Sequence, residues 1–211
     1  MNFSDPQFMF DFLINNVEKY GTYEQFVDLL YQNIDEIVSE LLSNSEDFLD
    51  AEEDYISNCI CRSLVDRRFN AVREAQENGR ADIRVKKGSF KWIAEAKRAT
   101  SMINVREGLL QLLTRYSKGE GNATSGGLFI YIQGEKNREA EFMSNWINNE
   151  LVNQQVVKIM SSNPCSLKPT CFITNLIHPG SLNEYKLRSM PISFFHNPQD
   201  KSGRKAKKYN K

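Results

Sequence analysis

Residues 79–97 read Gly-Arg-Ala-Asp-Ile-Arg-Val-Lys-Lys-Gly-Ser-Phe-Lys-Trp-Ile-Ala-Glu-Ala-Lys, and this stretch decides the fold of a chain of 211 residues. Asp82-Ile83-Arg84-Val85 is β-prone, Lys86-Lys87-Gly88-Ser89 has the composition of a turn, and Phe90 to Ala96 returns as a second, apolar strand. The pattern predicts a β-hairpin. Successive side chains of a strand alternate faces, so Ile93, Glu95 and Lys97 point one way and Trp92, Ala94 and Ala96 the other. A carboxylate and an ammonium thus share a face at the end of an apolar strand, and Asp82 begins the strand opposite. Charges held at the rim of a buried sheet are costly unless they have a use. Two carboxylates suit a hard cation such as Mg²⁺, which takes one or two of them and leaves the rest of its shell to water and phosphate.

Asp82, followed after twelve residues by Glu95-Ala96-Lys97, resembles the PD-(D/E)xK nuclease superfamily, with Ala81 in place of the proline. The resemblance covers about residues 50–135, less than half of the chain. It implies an α/β fold of the restriction-endonuclease-like kind: an α/β/α sandwich with a mixed central sheet. It also implies a Mg²⁺-dependent DNA endonuclease, Mn²⁺ serving as well, in restriction, repair or defence against phage. Asp82, Glu95 and the backbone carbonyl of Ala96 would be metal ligands, and Lys97 would stand beside the attacking water. A glutamate on the helix before the hairpin often adds a ligand in this superfamily. Glu53 matches that place, three and seven residues before Ile56 and Ile60 on their inward face, while Glu52 points off the line. Gln111 and Tyr116 resemble a helix glutamine and tyrosine found beside the site in several of these families. Here the interval is one residue longer than Q-x-x-x-Y, so Arg115 stands where the tyrosine is expected.

Composition bounds the rest. Apolar residues make up 40% and charged residues 26%, as in a globular domain, and 27 basic residues balance 27 acidic ones. The zero net charge excludes a chain coated in positive charge but conceals a polarity. Residues 1–55 hold fourteen acids against Lys19, whereas Lys201, Arg204, Lys205, Lys207, Lys208 and Lys211 crowd the tail. No apolar run is long enough to span a bilayer and no signal peptide is visible, so the expected location is cytoplasmic. Cys59, Cys61, Cys165 and Cys171 read as reduced thiols. A structural zinc on Cys165 and Cys171 with His178 or His196 would lack the usual C-x₂₋₄-C spacing.

Along the chain, residues 6–20 and 22–43 are helical by period, with Thr22 as the cap of the second. Their apolar stripes make residues 1–45 a helical extension packed on the core, or a surface for a second copy or a regulatory protein. A core over 46–197 begins with a helix from Ala51 through Ile56, Ile60 and Leu64. Arg67 to Gln76 is ambiguous between helix end and strand. Glu74 reads as a solvated acid that would approach the metal only if a strand forms there. A helix follows Lys97 through Leu113, Leu128 to Ile132 is a strand buried on both faces, Arg138 to Val152 is a helix, and a last strand runs from Thr170 to Leu176. Arg98, Arg106 and Arg115 are candidates for phosphate contacts, against solvation as the default. Residues 198–211 form a basic tail with the composition of a disordered segment, an added contact for nucleic acid. Two other functions compete with the nuclease: a catalytically silent nucleic-acid-binding module, against which the intact Asp82, Glu95 and Lys97 count, and an interaction protein using its acidic helical front.

Overall fold

The computed structural model describes residues 12, 16, 21–134 and 138–200. Most of the expected first helix and the basic tail from Lys201 on lie outside the described residues. The elements are α1 (Tyr23–Leu42), a 3₁₀ turn (Ser45–Phe48), α2 (Glu53–Asp66), β1 (Asn70–Gln76), β2 (Arg80–Lys87), β3 (Phe90–Arg98), α3 (Met102–Gln111), β4 (Ser125–Ile132), α4 (Glu139–Asn145), β5 (Lys158–Pro164), β6 (Phe172–Ile177) and β7 (Glu184–Ser193). The seven strands form one mixed sheet in the order β1-β2-β3-β4-β7-β6-β5. β4 runs parallel to β3 and β7, and every other neighbour is antiparallel.

Helices cover both faces because the strands alternate two apolar sets. Trp92, Ala94, Ala96, Phe129 and Tyr131 pack with α1 and α2, through Phe26, Leu30, Ile56 and Ile60. Ile93, Leu128, Ile130 and Leu187 pack with α3 and α4, through Leu109, Phe142 and Trp146. β4, buried at all eight positions, is the spine. It starts with two glycines for steric reasons. A Cβ on Gly127 would collide with the Trp92 ring on one face, and a Cβ on Gly126 with the Tyr185 hydroxyl on the other.

The expected hairpin is present, and Arg67–Gln76 resolves into β1 after the helix ends at Asp66. Thr22 caps α1 as its position predicts. Its hydroxyl accepts from the Gln25 N–H at 3.3 Å, and the Gln25 side chain accepts from the Thr22 N–H at 2.9 Å. α1 is tied to the sheet by charge as well as by its apolar stripe. Asp35 accepts two hydrogen bonds, at 2.9 and 2.7 Å, from the guanidinium of the fully buried Arg188, which also stacks over the Tyr31 ring at 4.6 Å. Glu36 and Glu40 pair with Arg67 at the end of α2. Much of the acidic front therefore belongs to the fold's own ion pairs.

Two strands go beyond the sequence expectation. β5 is an edge strand with mostly exposed or half-exposed side chains, so no apolar alternation marks it. β7 is central, but Lys186, Arg188 and Pro191 interrupt its apolar pattern. β6 pairs only as far as Ser189, so Pro191, which has no N–H to donate, lies past the end of that ladder.

Candidate active site

The ladder between β2 and β3 ends at Ile83–Ala94. Beyond that pair β2 continues beside β1 and leaves β3, so the N–H groups of Ala96 and Arg98, two residues apart on one edge, lose their strand partner. Two carboxylates replace it. Asp82 Oδ2 accepts from the Ala96 N–H at 2.7 Å, and Glu53 Oε2, from the first turn of α2, accepts from the Arg98 N–H at 2.8 Å. The splayed strands thus make a notch at the C-terminal end of β3, with an acid from each side.

Lys97 enters the notch from β3. Its Nζ lies 2.6 Å from Glu95 Oε1 and 3.7 Å from Glu53 Oε1. The stem of Lys97 crosses Gly108 on α3, where an added Cβ would sit 2.6 Å from Lys97 Cγ. Gln111 follows Gly108 by three residues and so shares that helix face. Two oxygens here are buried without a donor: Gln111 Oε1, and Glu95 Oε2, whose partner is the Asp82 carboxyl when one proton is shared between them.

The electrostatics follow from crowding acids in a dry place. Glu95 is 2% exposed. Burial first, and then the neighbouring Asp82 carboxylate, raise its pKa to about 8 against the relief that Lys97 gives. Burial also lifts Asp82, although the Ala96 N–H opposes the rise, and lifts Glu53 despite Lys97 and the Arg98 N–H. Burial pulls the Lys97 ammonium down, but the hydrogen bond to Glu95 and the surrounding carboxylates outweigh it, so its pKa ends above the ordinary value. Acids that resist ionisation around one held ammonium, in a buried notch, mark this place as a candidate functional site.

Tyr116 corrects the sequence reading of α3. The helix widens after Gln111 into a π turn, Leu112–Tyr116, closed by a Ser117 N–H to Leu112 C=O bond of 2.8 Å. The wider turn absorbs the extra residue of the interval. Arg115 is exposed, and Tyr116 is the one buried, its ring against Gly79, with Glu95 and Asp82 close enough to raise its pKa after burial itself. Arg115 therefore turns to solvent and Tyr116 inward. Such π turns are often found at functional sites.

The remaining candidates divide. Glu52 is largely exposed and 3.6 Å from Arg98. Glu74 is an exposed residue of β1 at φ 48°, paired with Arg73 and Arg80. Both stand outside the notch. Arg98 is bound to Gln133 at 2.8 Å, and Gln133 in turn donates to the carbonyls of Phe48 and Ala51. No sequence motif marks Gln133, and only the fold gives it this place. Arg106 pairs with Glu150 at 3.4 Å. Among the described residues there is no group of three or more His, Cys, Asp or Glu able to hold a metal ion, which covers the Cys165, Cys171 and histidine set too. In the notch the Lys97 ammonium contacts both Glu95 and Glu53, and Asp82 accepts from the Ala96 N–H. A cleft of about 440 Å³ lies elsewhere, lined by Glu24, Tyr31, Cys165 and Lys186 among others, and contains none of these carboxylates. No helix of the described residues is long and apolar enough to cross a membrane.

No protein-family model, no curated protein and no solved structure matches this chain.

Proposed function

We propose that this chain is a metal-dependent phosphodiesterase, a DNA endonuclease of the PD-(D/E)xK kind built on a restriction-endonuclease-like α/β/α sandwich. One observation carries the reading: Asp82, Glu95 and Lys97 meet at the notch where β2 leaves β3, with the second oxygen of Glu95 buried and offered no donor except the Asp82 carboxyl. The donor set fits a hard divalent cation. It is all oxygen and two of its members are carboxylates, as Mg²⁺ or Mn²⁺ prefers. A buried carboxylate oxygen without a donor is a cost that such an ion would remove.

Asp82, Glu95 and the Ala96 carbonyl are the residues that would hold it, with Glu53 as a further ligand once Lys97 turns away. The bound cation would polarise the phosphate and lower the pKa of a water. Lys97 carries the chain's own part of the chemistry. Its ammonium, held beside Glu95, donates to the attacking water or to the oxygen on which charge builds in the transition state. Gly108 allows this by letting the lysine stem lie flat beneath α3. Glu53 fixes the end of β3 through the Arg98 N–H and so sets the angle of the Lys97 backbone. Gln111, on the same helix face as Gly108, has an amide free to orient a water or a phosphate oxygen.

The test is incubation of the purified chain with supercoiled plasmid and Mg²⁺, with and without EDTA, alongside Asp82→Asn. Nicking or linearisation by the wild type alone, abolished by EDTA, is the expected result. Undiminished cutting by folded Asp82→Asn would refute the assignment.

A further inference from the structure

β1 and β2 form a ribbon with two unlike faces. Ala71, Ile83 and Val85 lie under α2. The other face pairs Val72 with Arg84 and Asn70 with Lys86 across the ribbon, and continues to Ile93 and Lys91 on β3. Its outer margin is open: Val72 is 38% exposed and Asn70 is exposed. Alternation places Glu95 on this same face, two residues after Ile93, and Asp82, where β2 leaves β3, reaches across to the Ala96 N–H beside it. Hence β2 presents Arg84 and Lys86 on this face, about 6.6 Å apart, leading away from the notch.

Away from the notch carboxylates, the cations of that face outnumber its acids. Arg84 and Lys91 both converge on Glu77, at 3.3 and 3.0 Å, and Lys86 adds a third cation with no carboxylate of its own among the described residues. Burial works against the Glu77 charge, but Lys91 and Arg84 outweigh it and hold its pKa below the usual range. Arg84 Nε remains buried without an acceptor. A brace for the β1–β2 turn would need one cation opposite Glu77. Arg84 and Lys91 are only 21% and 24% exposed, but three cations, one donor left over and the open margin beside Lys86 have the charge complement of a polyanion.

We propose that Arg84, Lys86 and Lys91 form a phosphate-tracking subsite for the nucleic-acid strand on one side of the cleaved bond, with Glu77 as the resident counter-ion that the strand's phosphates displace. The subsite rests on the nuclease reading above and adds the direction in which the substrate leaves the notch. Glu77 is a positioning residue: it keeps Arg84 and Lys91 pointed at the face, and it competes with phosphate for them.

The experiment is fluorescence anisotropy of a labelled DNA oligonucleotide with the full chain in Ca²⁺ over a range of salt concentrations, with circular dichroism on every variant. Lys86→Ala should weaken binding several-fold and reduce the slope of log K against log salt by about 1. Glu77→Gln should tighten binding and steepen that slope, although it removes two ion pairs. Arg62→Ala, on the exposed side of α2, should change neither. A Lys86→Ala slope equal to the wild type's would overturn the subsite, and so would weaker binding by folded Glu77→Gln, the result expected of a brace. Should Glu77→Gln fail to fold, Lys86→Ala decides. A wild type that neither binds nor cuts DNA removes the nuclease reading and the subsite together. One that binds and cuts, with the Lys86→Ala slope unchanged, removes the subsite alone.

Discussion

Glu95→Gln should make the metal-free protein more stable at alkaline pH while abolishing cleavage. A carboxyl whose pKa moves from 4.5 to about 8 binds its proton more tightly in the folded chain than in the unfolded one by about 5 kcal/mol. The sign is fixed by which state holds the proton. Between pH 4.5 and about 8 the folded chain keeps it and the unfolded chain does not, so stability is greatest below that window and falls as pH rises through it. Lys97 does not disturb the window, because its raised pKa matters only above 10.5. The figure is a ceiling, since Asp82 titrates with Glu95 and takes a share. Glutamine has the shape of the protonated acid and cannot ionise. Its carbonyl can accept from Lys97 and its amide can face Asp82. The assay is urea unfolding of wild type and variant in EDTA at pH 5, 6, 7 and 8. The two should be close at pH 5, and the variant should lead by at least about 1 kcal/mol at pH 8, a fraction of that ceiling. Mg²⁺ should restore the wild type at pH 8 and leave the variant unmoved. Parallel curves across the whole range would refute the claim that Glu95 holds its proton through neutral pH in the folded chain.

Lys97→Ala should leave the fold intact but lower the plasmid cleavage rate greatly, and Lys97→Arg should not rescue it, because a planar fork cannot replace a compact ammonium in a fitted site. Ca²⁺ should support DNA binding better than cutting, measured by anisotropy and plasmid nicking in parallel, since its longer and looser coordination misplaces the water. Gly108→Ala gains about 1 kcal/mol of helix propensity but drives a methyl into the Lys97 stem, so cleavage should fall by more than thermal stability changes. Asp35→Ala should cost about 3–5 kcal/mol in urea unfolding, because it strands the Arg188 charge in the core.

The parts of the fold legible in the sequence are those where one physical signal acts alone. The hairpin at 80–98 has clean alternation on β2, an apolar run on β3 and a lysine–glycine turn. α1 has a capping box and a continuous apolar stripe, and β4 is apolar throughout. β7 fails that condition. Arg188 makes it read as surface, and only the distant Asp35 and Tyr31, more than 150 residues earlier, turn that arginine into a core residue. Such a pairing is invisible to any local pattern. β5, at the sheet edge, never needs an apolar face, so its residues carry none.

The candidate site was legible for a related reason: its residues break the local pattern they sit in. Glu95 and Lys97 interrupt an apolar strand, and Glu53 lies on the buried line of a helix that is otherwise apolar there. What the sequence concealed is how the backbone brings them together. The departure of β2 from β3 turns Asp82 from a cross-strand neighbour into the acceptor for the Ala96 N–H, and the π turn after Gln111 delivers Tyr116 in place of Arg115. The first is the early end of a ladder and the second an irregularity of one residue. Spacing rules assume regular strands and helices, so they misplace a side chain wherever the backbone slips by a single residue. The remedy lies in the hydrogen bonds. An edge N–H that loses its ladder partner must be met by a side chain, so the end of the β2–β3 ladder demands a short acid near Asp82 whether or not a metal binds. The acid that satisfies the strand is therefore also the acid offered to a cation, and Asp82→Ala should release the end of β3 as well as the ion. Hydrogen exchange at Ala96 would separate the two effects: faster exchange in metal-free Asp82→Ala than in the metal-free wild type is the expected result, and equal rates would show that Asp82 has no part in closing the strand.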